Sequence, residues 1–117
     1  MLEVADKVDS GKIYLQHEIV FEGHELIDEL RAVQANRTFK LCGKFIDKFP
    51  FILEEGKVQE GKSSFYKKRG PEDSEIDVEN TISKSFNLLR IVDNKRYPAF
   101  FYMKGQKYKL QIERYKK

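Results

Sequence analysis

FNLLRIVDNKRYPAFFYMKGQKYKLQIERY, residues 86–115, is the stretch whose reading decides the fold. It divides into three strand-length runs, Phe86–Val92, Arg96–Met103 and Lys107–Tyr115. Asp93-Asn94-Lys95 and Lys104-Gly105-Gln106 separate them, both with turn chemistry. The first two runs are apolar on both faces, as expected of strands inside a covered sheet. The third alternates: Tyr108, Leu110 and Ile112 share one face, Lys107, Lys109, Gln111 and Glu113 the other. Such a strand has one wet face, and its lysines guard an exposed edge. The stretch therefore predicts a C-terminal three-strand meander.

Upstream, Asp77–Ser85 reads equally well as a helical turn, because Val78, Ile82 and Phe86 are four apart, or as extended chain. Residues 72–79 carry Glu72, Asp73, Glu75, Asp77 and Glu79 with no cation, which predicts an exposed acidic loop behind the Arg69-Gly70-Pro71 break. Thr38–Ile46 and Phe49–Glu54 are aromatic-rich and predict strands, the second at an edge because of Pro50. Glu55-Gly56 reads as a turn before a short strand near Val58–Tyr66. At the start, Ile13, Leu15, Ile19 and Phe21 alternate along Lys12–Glu22 and predict another strand. Between these, Leu26, Ile27, Leu30 and Val33 form the stripe of a helix over about residues 24–35, which Asn36 ends. The expected fold is α+β: one domain over residues 1–117, a mainly antiparallel sheet of five to seven strands and one packed helix. A partly closed barrel is the alternative.

Composition fits one domain. The chain has 117 residues, 40% apolar and 13% aromatic, enough for one core. Cys42 is its single cysteine, so no internal disulfide forms, which points to a reducing, cytoplasmic setting. Glu3, Asp6 and Asp9 interrupt the first residues, against a signal peptide. The longest apolar run, Ala99–Met103, is far below the roughly 20 residues of a membrane helix, and no membrane partner is expected.

Catalytic patterns are weak. Asp47 followed by Glu55-Gly56-Lys57, with Glu60-Gly61-Lys62 repeating the tripeptide, has the letters of a carboxylate–metal nuclease. Both tripeptides centre on Gly in a turn, where rigid ligation is hard to hold. His17, His24 and Cys42 fall on separate segments without the spacing of a zinc site or a nucleophile pair. Glycine-rich phosphate loops are absent from the sequence, and no cofactor is expected.

Charge is the strongest signal. Residues 1–94 hold 14 basic and 18 acidic side chains; residues 95–117 hold 8 basic and one acidic. Lys104, Lys107, Lys109, Arg114, Lys116 and Lys117 crowd the last hairpin among Tyr102, Tyr108 and Tyr115, and Lys67, Lys68 and Arg69 follow Tyr66. Cations beside rings supply what a nucleic acid needs, phosphate neutralisation and stacking. An acidic protein partner is the competing reading, and a solvated surface the third. The closing pattern of Tyr97, Tyr102-Met103-Lys104-Gly105, Lys107-Tyr108, Leu110, Ile112 and Arg114 resembles the final strands of small bacterial toxins that cut ribosome-bound messenger RNA. That resemblance is confined to residues 97–114 and lacks the helical pair such toxins carry near their start, so no residue role follows from it.

These features predict a non-catalytic binding protein contacting nucleic acid or a nucleoprotein complex through Lys67, Lys68, Arg69, Lys104, Lys107, Lys109, Arg114 and Lys116. Size and the lack of catalytic motifs suit the inhibitors and accessory factors of phages and mobile elements. The alternatives are an adaptor or inhibitor using the charged segment 67–79, a metal-independent ribonuclease, or a nucleotide-sequestering protein. The deciding structural question is whether the acidic segment 72–79 covers the basic hairpin.

Overall fold

Helix α1 (Ile27–Lys48) dominates the first half of the chain in the computed structural model, which describes residues 1–115. At its start the Glu29 carboxylate accepts the Leu26 N–H at 2.8 Å, and Asp28 and Glu29 sit at the positive end of the helix dipole. The helix does not stop at Asn36 but runs through Thr38–Ile46, the first segment expected as a strand. The half-buried Leu30, Arg37, Leu41 and Phe45 share one helical face, a spacing that a strand cannot use. Thr38 is accommodated by donating its hydroxyl to the Gln34 carbonyl one turn back, at 2.9 Å. Pro50, which has no N–H and disfavours helix in the residue before it, lies just beyond the end.

The chain divides into two compact units. The first comprises Met1–Val20 and Arg31–Phe65. Its N-terminal segment is extended but forms only isolated bridges, Leu2 with Ile13 and Ile13 with Lys57, in place of a strand over Lys12–Glu22. Ile13 and Lys57 exchange both backbone bonds, at 2.8 and 3.0 Å, and the Gln59 amide donates to the Asp9 and Gly11 carbonyls. A Cβ on the buried Gly11 would collide with the Glu3 carbonyl, so the return of the chain at this point requires glycine. Phe51–Glu55 is a 3-10 turn rather than a strand, and it places Ile52 at 0% exposure. Tyr14 meets Phe45 edge to face at 5.8 Å.

The second unit comprises Phe21–Leu30 and, among the described residues, 66–115. Pro71–Ser74 forms a 3-10 turn, followed by helix α2 (Ile82–Ile91) and strands β1 (Ala99–Met103) and β2 (Gln106–Leu110). Helix α2 replaces the first strand of the expected meander. Its apolar residues fit a buried strand or a buried helix equally well. Thr81 decides between them, because its hydroxyl accepts the Lys84 N–H at 3.3 Å and caps the helix. β1 and β2 pair antiparallel through Lys104 and Gly105, whose φ values of 49° and 76° give the turn the twist a two-residue hairpin needs. The sheet of five to seven strands, the barrel and the three-strand meander are therefore replaced, among the described residues, by two α-helices and one open two-stranded sheet.

Leu89, Val92 and Ala99 form the core of this unit, with Ile76, Leu88, Leu110 and Ile112 packed against them. Within the same unit, Arg90 Nη1 donates to the Glu25 carbonyl at 3.1 Å and lies 3.8 Å from its carboxylate. The Glu22 N–H, followed by the N–H groups of Glu25 itself and Gly23, holds the Glu25 carboxyl down to about 2, against an ordinary 4.5. A depressed carboxyl stabilises the fold above its unfolded value, and that contribution is lost as pH falls toward its folded value. Urea midpoints should therefore fall from about pH 4.5 down to about 2, with a shallower fall in Glu25→Gln.

Candidate functional site

The hairpin register sets Phe100 opposite Lys109 and Tyr102 opposite Lys107. Directly opposed residues project from the same face, so both lysines share a face with those two rings. Lys107 Nζ lies 3.7 Å from the Phe100 ring centroid and 5.8 Å from that of Tyr102, and the two rings meet edge to face at 5.9 Å. The opposite face is structural. There Phe101 stacks on Tyr108 at 5.5 Å, and Ala99 and Leu110 join the core.

A cavity of about 330 Å³ opens on the lysine-bearing face. Tyr97, Phe100, Pro71 and Pro98 give it apolar walls, and Arg96, Lys107 and Lys109 supply its charge. No carboxylate is among its walls. Apolar walls with a few converging polar groups are the usual form of a small-ligand site, and this volume lies near the lower end of their range.

Local hydrogen bonds place the walls. The Asp93 carboxylate accepts the N–H groups of Lys95 and Arg96, both at 3.0 Å, while its carbonyl accepts the Tyr97 N–H at 2.9 Å. On the other side Ser74, at 0% exposure, donates its hydroxyl to the Tyr97 carbonyl at 3.0 Å. Arg69 Nη2 reaches the same hydroxyl at 3.4 Å and the Asp73 carbonyl at 3.3 Å. Ser74→Ala would leave the Tyr97 carbonyl without this donor. The expected loss is about 1–3 kcal/mol of unfolding free energy, read by urea denaturation.

The expected site residues separate. Lys107 and Lys109 line the cavity. Lys104 stands exposed at the turn, and Lys67 and Lys68 are exposed away from the cavity walls. Arg69 serves the Ser74 turn. Arg114 bonds the Glu29 carboxylate at 2.9 Å and the His24 carbonyl at 3.2 Å, so it ties this unit together. Lys116 lies outside the described residues. Sequence reasoning did not select Arg96, Tyr97, Phe100 or the two prolines, although Asp93 ahead of Arg96-Tyr97-Pro98 was a readable turn signal.

The acidic segment leaves this face uncovered by ion pairs. Among the described residues no salt bridge joins a carboxylate of 72–79 to Lys104, Lys107 or Lys109. Asp73 accepts the Gly70 N–H at 2.7 Å and Asp77 the Glu79 N–H at 2.9 Å, so two of the five carboxylates shape local turns. Glu75 bridges Phe100 in parallel register, where Ile76 donates to the Phe100 carbonyl at 2.7 Å. The segment thus runs along the edge of β1, with Ser74 buried rather than looped into solvent.

Among the described residues no three His, Cys, Asp or Glu side chains are grouped to hold a metal, and no helix is long and apolar enough to cross a membrane. Comparison with protein-family models, curated proteins and solved structures finds no match for the chain.

Proposed function

We propose that the protein is a non-catalytic binding protein that contacts nucleic acid, free or within a nucleoprotein complex, through the basic face of its C-terminal hairpin. The observation that supports this most is the cavity whose walls combine Arg96, Lys107 and Lys109 with the Tyr97 and Phe100 rings and contain no carboxylate. Cations release counterions from a phosphate backbone, and rings stack on bases. Lys107 and Lys109 are held on one face by the hairpin register rather than by loop chance, so the charge is preorganised. The protein would act by occupying its target rather than by turning it over.

The test is a titration of fluorescently labelled RNA and DNA oligonucleotides at about 50 mM salt in the presence of EDTA. Binding with the oligonucleotides left intact supports the reading. Shortened RNA favours the metal-independent ribonuclease, and no binding of either polymer overturns contact with nucleic acid.

A further inference from the structure

We infer that the cavity beside β1 receives one unpaired base of a single strand, with the flanking phosphates taken by Arg96, Lys107 and Lys109. This rests on the nucleic-acid reading above and narrows it from any charged polymer to an unstacked one.

Three features of the cavity favour a single strand over a duplex. First, the cations converge on a recess rather than spreading along a ridge. The walls between them are Tyr97, Pro98, Phe100, Pro71 and Tyr108, ring-bearing groups with no side-chain amide and no hydroxyl other than the phenols of Tyr97 and Tyr108. Duplex DNA is read in its major groove by side chains that bond base edges, Arg, Lys, Asn and Gln above all. On this face of the hairpin the two lysines are interleaved with the rings of Phe100 and Tyr102, which suit the flat face of an exposed base better than the edges of stacked pairs. Second, a volume of about 330 Å³ admits a single nucleotide-sized group and not the width of a helix. Third, an unpaired base offers a π-face that any aromatic wall accepts, and its phosphates lie on either side, where the cations are.

Lys107 has a particular part in this. In the free protein its ammonium rests on the Phe100 ring, a cation–π contact that covers the ring, and Phe100 is only 9% exposed. A base stacking on Phe100 and the ammonium claim the same ring face. On binding, the ammonium therefore leaves the ring and turns to a phosphate, so the contact in the free protein covers the Phe100 ring without filling the cavity. Glu75, in register with Phe100 on the far edge of β1, sets the side from which the phosphates stay away and leaves them the Lys109 side.

The test compares four labelled ligands of equal length at one salt concentration: oligo-dT, oligo-U, a strand of abasic residues with the same phosphates, and a duplex. The expected result is that oligo-dT or oligo-U binds at least about fivefold more tightly than both the abasic strand and the duplex, either sugar satisfying the proposal. Tyr97→Leu, which leaves the core cluster untouched, is expected to close most of the gap between the base-bearing and abasic strands while binding to the abasic strand persists. Equal affinity for the base-bearing and abasic strands, or tighter binding of the duplex, would overturn the assignment of the cavity and leave the broader reading standing. Absence of binding to all four overturns both. A gap that survives Tyr97→Leu unchanged also counts against the cavity.

Discussion

Leu89→Ala is expected to lower the stability of the unit that carries the hairpin by about 2–5 kcal/mol and to take ligand binding with it. Leu89 is 4% exposed and stands with Val92 and Ala99 at the centre of a small core. Truncation removes the transfer free energy of the lost carbons and leaves a cavity that neighbours only partly fill. Small domains have only about 5–15 kcal/mol in total, so this is a large fraction. The hairpin cannot absorb the loss by itself, since an isolated two-stranded ribbon is marginal in water. It is held because Leu110 and Ile112 pack on the cluster that Leu89 centres. Urea denaturation followed by far-UV circular dichroism reads the effect. Phe39→Ala, at a site 75% exposed on α1, is the control and should stay within about 0.5 kcal/mol. Equal midpoints for Leu89→Ala and the unmodified protein would show that this cluster does not hold the unit.

The second large effect concerns charge. Lys107→Gln with Lys109→Gln removes two cations from the cavity walls while keeping an unbranched polar side chain, one bond shorter, at each position. For single strands each engaged cation contributes roughly 0.7 to the slope of log affinity against log salt. Losing two should flatten that slope by about 1.4 and weaken binding about 25-fold at 0.1 M salt. The same change of charge at Lys67 and Lys68, which lie outside the cavity walls, should cost much less. If the two pairs weaken binding equally, net charge governs affinity and the arrangement on the hairpin does not.

The hairpin itself was legible. Alternation placed Leu110 and Ile112 toward the core and Lys107 and Lys109 away from it, and Lys104-Gly105 has the residues of a tight turn. The rest of the sheet was not, for one physical reason. Thr38–Ile46 and Phe86–Val92 are short, apolar and rich in aromatic or β-branched residues, so propensity favours strand. Their contacts follow a helical period instead, visible in Leu41 and Phe45 only once Leu30 and Arg37 are counted with them. Thr81 before Ile82 was the cap signal that would have turned the second segment into a helix. The site was half legible because its two lysines share a strand with a readable period, whereas Arg96 and Tyr97 depend on hydrogen bonds from Asp93 and Ser74. Arg114 shows the converse: a cation counted with the basic hairpin belongs to an ion pair with Glu29.

The affinity of the unmodified protein for a single-stranded oligonucleotide, measured by fluorescence anisotropy between about 50 and 200 mM salt, tests the central claim most directly. Engagement of Arg96, Lys107 and Lys109 predicts a straight line of log affinity against log salt with a slope of about −2. A flat line, or no binding at the lowest salt, would contradict a nucleic-acid role for the hairpin.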